Sequence, residues 1–346
     1  MSSAAEPDGG PGRMLAAYRE MALAEIERRL PYGEPASWLY GPLADYPRRT
    51  GKGLRAALCL ATCAAFGGTE KDALPAAAAI ELAHSAFLVH DDIEDGSAWR
   101  RGRPTLHRQE GLPLALNAGD ALAVLGFDVL RTGVSGLGGR LGTRILDEFA
   151  AAMWRTLEGQ ALELGWRRDG VTRLSTCDYL DLVVRKTCWY TTIAPLRIGA
   201  LIGSWGGVDL RGLTRFGLFL GAAFQITDDL LNVTGGQESY GKEILGDLRE
   251  GKRTLLLVHL LSVAEPAHRQ ALVSLLRASD AERDDRLDWV AGLLVEYGSI
   301  PFARDFARGV AEAAAAAFPA AFRPAVRPEA AELVRYLVDY VVDRTR

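Results

Sequence analysis

The sequence predicts an all-α protein, and three observations carry the prediction. Alanine and leucine dominate the composition. Apolar residues recur at spacings of three and four, the period of one helix face, rather than alternating. No run of strands joined by hairpin turns appears along the 346 residues.

Taken in order, the chain opens on "MSSAAEPDGGPGR", which is rich in Gly, Pro and Ala and lacks the apolar core of a signal peptide. Residues 1–12 are therefore expected to be a disordered tail. Periodic runs place helices near 13–30, 50–66, 72–95, 111–134, 141–166, 174–203 and 208–233. Others follow near 253–264, 267–277, 280–298, 301–316 and 328–344. Glycine and proline mark the joints at "FGGTE" (66–70), "GLP" (111–113), "GGVD" (206–209) and "TGGQESYGKE" (234–243). The biased tract "AAAAAFPAAFRPAVRP" (313–328) reads as a helix end and a turn. Helices 72–90 and 208–226 are apolar around much of their circumference, which places them inside a bundle. There is no fixed-period repeat and no long linker, so 13–346 is expected to form one domain.

A 49% apolar and 24% charged composition is that of an ordinary soluble protein. The net charge of −4 gives no global field for nucleic acid or an anionic membrane, so any anionic ligand needs a local basic cluster. The most apolar tracts are short or broken by polar residues, below the roughly 18–20 apolar residues of a membrane span. Cys59, Cys63, Cys177 and Cys188 lack the spacing of a usual zinc site and read as buried thiols of a reducing cytoplasm.

Against this background "HDDIEDGSAWRRGRPT" (90–105) concentrates charge at the end of an alanine-rich helix. Asp91 and Asp95 are four apart and share a face, with Asp92 and Glu94 beside them. Like charges at that spacing repel, and the helix C-terminus disfavours anions. A solvated acidic helix end is one reading. Hard divalent cations that bridge carboxylates to phosphates are the other. "FQITDDLLNVTG" (224–235) repeats the pattern: Asp228 and Asp229 close an apolar helix and Asn232 follows.

A metal-held polyanion also needs cations, and the candidates are Lys52 and Arg55 in "GKGLR", then Arg100, Arg101 and Arg103. Lys186, Lys242, Lys252 and Arg253 complete them. "GKGLR" is too short for a nucleotide P-loop and no strand precedes it. Lys186 can equally be a snorkelling lysine, and His84 a satisfied core histidine.

In the order "GKGLR", "DDIED" with "RRGRPT", "KT" at 186–187, "FQITDDLLN" and "GDLREGKRT", the chain resembles the trans-isoprenyl diphosphate synthases, or polyprenyl synthetases, from about 45 to 260. The resemblance implies the isoprenoid synthase fold, a single large helical bundle around a deep central cavity. It also implies head-to-tail condensation of an allylic diphosphate with isopentenyl diphosphate, in a cytoplasmic homodimer. By carry-over, Asp91 and Asp95 bind two Mg²⁺ ions and Asp228 a third. Arg100, Lys186, Lys242 and Lys252 contact the allylic diphosphate, with Thr187 and Gln225 beside the leaving oxygen. Lys52, Arg55, His84 and Arg101 hold isopentenyl diphosphate, and Arg103 has no assignment. Breaking the C–O bond leaves an allylic cation and a pyrophosphate anion, so catalysis consists chiefly of stabilising the leaving charge in a dry cavity.

Two departures refine the expectation. Asn232 stands where many members have aspartate, as in some that make twenty-carbon products. Product length in the family depends on bulk just before the first motif. Here one aromatic, Phe87, follows Ala86, and the expected product is the twenty-carbon geranylgeranyl diphosphate. A terpene cyclase on the same scaffold is the rival reading, but it would not need the Lys52, Arg55, His84 and Arg101 set. A non-catalytic regulatory subunit would be expected to lose aspartates from one motif, and both leading pairs are present.

Overall fold

A helical pattern runs through residues 10–49, 51–235 and 245–343, the part of the chain that the computed structural model describes; the side chains of 280 and 341–343 lie outside it. Of the tail expected over 1–12, residues 10–12 open the first helix and 1–9 lie outside the described residues. The helices are α1 (Gly10–Arg29), α2 (Gly41–Arg48), α3 (Leu54–Ala65), α4 (Glu70–Glu94), α5 (Leu106–Gln109), α6 (Leu112–Gly133), α7 (Gly139–Arg168), α8 (Thr176–Val183), α9 (Ala194–Gly203) and α10 (Arg211–Thr234). After them come α11 (Gly246–Arg249), α12 (Leu255–Val263), α13 (Pro266–Leu275), α14 (Asp280–Asp284), α15 (Leu287–Glu296), α16 (Ser299–Phe322) and α17 (Pro328–Asp343).

Several boundaries differ from the sequence expectation. The run 174–203 is α8, then a π-helical segment Val184–Ile193, then α9, because the wider i→i+5 turn interrupts the periodic face. A π-helical turn Ala36–Tyr40 and α2 precede α3, and 280–298 is broken into α14 and α15. Helix α16 continues through Pro319 to Phe322, so the turn in the 313–328 tract comes later than expected. Among the described residues the only strands are β1 (Trp99–Arg100) and β2 (Arg103–Pro104), an antiparallel pair with Arg100 opposite Arg103. Arg101 and Gly102 between them both have positive φ, as a type I′ hairpin turn requires.

The chain divides into two compact units. One comprises Met1–Ala152, Tyr190–Phe216 and Ala317–Leu337. In it α4 packs along α6 and α3 along α9. Small residues make both pairings close. A Cβ on Gly126 of α6 would lie 3.1 Å from the Ala79 carbonyl, and one on Gly199 of α9 would lie 2.3 Å from the Cys59 carbonyl. The alanine-rich stretches of α3 and α4 are accordingly buried to within a few per cent, as core helices are. By length and hydropathy both α4 and the stretch Leu112–Leu137 could cross a bilayer, contrary to the sequence expectation; 67% of the apolar window of α4 is buried in the protein, against 33% for Leu112–Leu137.

The other unit comprises Met153–Trp189, Gly217–Ala316 and Val338–Arg346. There α12 packs against α8 and α15, and α11 against α14 and α15. The five leucines and Val258 of the α12 sequence "LLLVHLLSV" are buried, Ser262 and Val263 at its end are exposed, and Thr254 caps it by accepting the Leu257 N–H. Cys177 of α8 is exposed, contrary to the buried thiol expected, whereas Cys59, Cys63 and Cys188 are buried.

Candidate functional site

In the first unit, Asp91 and Asp95 end α4 one turn apart, both half-buried. Asp92, next to Asp91 in the chain, is fully buried. It accepts from the Tyr46 hydroxyl and from Arg100, whose Nε lies 2.8 Å from Oδ1. Arg100 is itself buried, and its guanidinium lies 3.6 Å from Asp91. Burial works against its charge, but Asp92 and then Asp91 more than offset this and raise its pKa. The first acidic motif thus holds two half-exposed carboxylates on a buried anion–cation pair. Arg49 secures the hairpin that carries Arg100 by donating to the Arg100 and Pro104 carbonyls at 3.2 and 2.8 Å. Arg103, left unassigned by the sequence, pairs with Asp45 at 2.9 Å.

The set expected to bind isopentenyl diphosphate lies in the same unit. Gly53 has φ 64°, and a Cβ there would meet Arg19 at 2.7 Å, so "GKGLR" can enter α3 only with glycine at that position. Lys52 is exposed and Arg55 half-buried. Arg55 donates to the Tyr190 hydroxyl and to Thr191, each at 2.9 Å, while stacking 4.5 Å from the Tyr190 ring centroid. Arg101 donates to the Arg49 carbonyl at 2.8 Å, and a Cβ on Gly51 would lie 2.7 Å from its guanidinium. Burial lowers the Arg101 pKa; Glu81 works to raise it, and Arg55, Arg100 and Arg49 lower it further. That mutual influence marks a concentrated cationic cluster. His84 is buried against Tyr190, with ring centroids 5.9 Å apart. Phe87 meets the same tyrosine edge-on at 5.4 Å, and Ala86 is buried. Tyr190 therefore touches three of the sequence-predicted residues and was missed by sequence reasoning. Its only signal was its place four residues after Lys186.

In the second unit, Lys186 and Thr187 lie in the π-helical segment. Lys186 pairs with Glu163 of α7 at 2.5 Å. Thr187 donates to Gln225 Oε1 at 2.8 Å, and Gln225 Nε2 donates to Asp229 Oδ1 at 2.7 Å. The Tyr179 hydroxyl donates to Asp229 Oδ2, also at 2.7 Å. Asp228 is half-buried, whereas Asp229 is buried, with its carboxyl pKa pushed upward. Burial is the main cause and repulsion from Asp247 the next; the Gln225 and Tyr179 hydrogen bonds oppose them. Asn232 is buried, and its Oδ1 accepts the Asp247 N–H at 3.1 Å. Lys252 pairs with Glu250 at 2.6 Å and lies 3.8 Å from Asp247. Arg253 is buried and donates to the Val171 carbonyl at 3.0 Å. Lys242 lies outside the described residues.

The donor chemistry fits Mg²⁺. Asp91, Asp95 and Asp228 offer hard oxygens without thiol or imidazole, and each keeps some exposure through which a hydrated ion and phosphate oxygens can reach it.

The family profile described as polyprenyl synthetase matches residues 36–294. A geranylgeranyl diphosphate synthase of Sulfolobus acidocaldarius is 36% identical over 235 residues, 68% of this chain and 70% of that protein. Among solved structures, a geranylgeranyl pyrophosphate synthetase from Pyrococcus horikoshii superposes with a TM-score of 0.82 at 28% identity, over 96% of this chain and 98% of that one. A geranylgeranyl pyrophosphate synthase from Corynebacterium glutamicum, complexed with isoprenyl diphosphate and magnesium, superposes with a TM-score of 0.83 at 25% identity, over 96% and 99%.

Proposed function

The chain belongs to the polyprenyl synthetase family, and from that membership we infer that it is an Mg²⁺-dependent prenyltransferase that condenses isopentenyl diphosphate head-to-tail with an allylic diphosphate and releases pyrophosphate. The single observation that carries this reading is the Arg55–Tyr190–Thr191 cluster with Arg101 and His84 in the first unit. A cyclase, which ionises one diphosphate and adds no second substrate, has no use for it.

We assign Lys52, Arg55, His84 and Arg101 to isopentenyl diphosphate, and Arg100, Lys186, Lys242 and Lys252 to the allylic diphosphate. Asp91 and Asp95 are assigned to two Mg²⁺ ions and Asp228 to a third, within one catalytic domain spanning 13–346. When bound, the ions neutralise the diphosphate and stabilise the charge that develops on the leaving oxygen. Thr187, held by Gln225, lies beside that oxygen. Pairing Lys186 with Glu163 keeps its ammonium oriented until a diphosphate competes for it. No side-chain base is assigned, because released pyrophosphate takes the proton lost on forming the new double bond. Ala86 and Phe87 bound the apolar path of the growing chain, and the product assigned is geranylgeranyl diphosphate.

The proposed state is a cytoplasmic homodimer outside the bilayer. Leu112, Leu116, Val124 and Phe127 form an exposed apolar row on α6, suited to pairing with a second copy. Val124→Asp is expected to shift the mass measured by light scattering to that of a monomer. The reaction itself is tested with Mg²⁺, isopentenyl diphosphate and five-, ten- and fifteen-carbon starters, with products identified by mass. Elongation to twenty carbons is expected. Failure with every starter, or a cyclic hydrocarbon, would overturn the assignment.

A further inference from the structure

Each acidic pair is built in the same way, on different helices and in different units. The first aspartate is half-buried and the second is buried: Asp91 and Asp92 at the end of α4, Asp228 and Asp229 in α10. Each second aspartate accepts on both oxygens. Asp92 takes the Tyr46 hydroxyl on Oδ2 and Arg100 on Oδ1. Asp229 takes the Tyr179 hydroxyl on Oδ2 and Gln225 on Oδ1. Both tyrosines come from other helices, α2 and α8, and both are almost wholly buried.

We propose that Tyr46 and Tyr179 are positioning residues for metal binding: each pins the second aspartate of its pair and so sets the direction in which the first one faces. Successive side chains on an α-helix are about 100° apart, so fixing the second carboxylate fixes the rotation of that turn and the bearing of its neighbour. A buried carboxylate with both oxygens satisfied resists turning outward, since leaving either hydrogen bond unmade is costly in an apolar surrounding. The tyrosines thus act at one remove from the ion, as orienting partners of ligand-bearing segments do. The proposal rests on the assignment of Asp91 and Asp228 to metal.

Tyr46→Phe and Tyr179→Phe remove one hydroxyl each and keep the ring. The readout is calorimetric titration with Mg²⁺ in the presence of a non-ionising allylic thiolodiphosphate, with no turnover involved. Each variant is expected to bind Mg²⁺ roughly 10–100-fold more weakly. Thr62→Val and Ser299→Ala, which remove buried hydroxyls from the two units away from the motifs, are expected to leave the titration unchanged. A wild-type titration in the phenylalanine variants, or equal weakening in the controls, overturns the proposal. Asp91→Ala and Asp228→Ala separate it from the reading beneath it. If they leave Mg²⁺ binding intact, the metal assignment fails; if they weaken it while Tyr→Phe does not, only the positioning role fails. Should a phenylalanine variant not fold, Asp92→Asn or Asp229→Asn carries the test. Each replaces one of two acceptor oxygens with a donor, the same weakening is expected, and an unchanged titration overturns the proposal.

Discussion

Replacing Gly159 with alanine opposes two effects of known size. Gly159 lies within α7, where alanine is favoured over glycine by about 1 kcal/mol of helix propensity. Yet a Cβ there would lie 2.3 Å from the Lys186 nitrogen, 2.6 Å from its Cα and 2.8 Å from its Cβ. Two of these atoms are backbone and cannot rotate away, so α7 and the π-helical segment must separate by about 1 Å to restore ordinary contact. Overpacking of this kind costs about 1–3 kcal/mol, which cancels or exceeds the propensity gain. The displaced atoms belong to Lys186, next to Thr187, and a misplacement of about 1 Å can cost roughly 100-fold in turnover. Gly159→Ala is therefore expected to lower kcat about 100-fold with little change in the KM for isopentenyl diphosphate. The assay is product formation from a radiolabelled substrate, beside thermal unfolding. Gly165→Ala in the same helix meets nothing within 4 Å and should stabilise by up to about 1 kcal/mol without touching kcat. Wild-type kcat in Gly159→Ala would refute the argument that this close approach positions Lys186, and equal loss in Gly165→Ala would show a generic response of the helix.

Phe87→Ala removes the ring that meets Tyr190 edge-on and should lengthen the product beyond twenty carbons; mass spectrometry of dephosphorylated products decides, and an unchanged length refutes the role given to Phe87. Chelation should abolish turnover and Mg²⁺ restore it, whereas activity in a fully chelated sample would contradict the carboxylate assignments. His259 is stacked on Phe302 at 4.1 Å with Nδ1 2.9 Å from the Ser299 hydroxyl, and burial lowers its pKa. The unfolded chain then binds the extra proton first, so the stability His259 contributes is complete above about pH 6.5 and is lost as pH falls below that value. Denaturant melts from pH 8 to 5 should show that decline, and His259→Gln should flatten it; an unchanged slope refutes the assignment.

Much of the candidate site was legible from spacing. Four-residue separation places Asp91 and Asp95 on one face because that is helix geometry, and the same rule put the second motif at the end of an apolar helix. The hairpin at 99–104 escaped notice because its strands are two residues each, too short for alternation to register. The π-helical segment escaped because one extra residue per turn leaves composition unchanged. Tyr190 escaped because an aromatic in an apolar helix reads as core until Arg55 is seen against it.

By itself the sequence determined most of the helices, the four-residue spacing that puts Asp91 and Asp95 on one helix face, and the family to which the motifs belong, since each depends on residues near one another in the chain. The tertiary structure alone decided which aspartate of each pair is held inside. Tyr46 reaches Asp92 across 46 residues and Tyr179 reaches Asp229 across 50. No local pattern encodes those hydrogen bonds, because the buried partner of a carboxylate depends on which helix packs beside it.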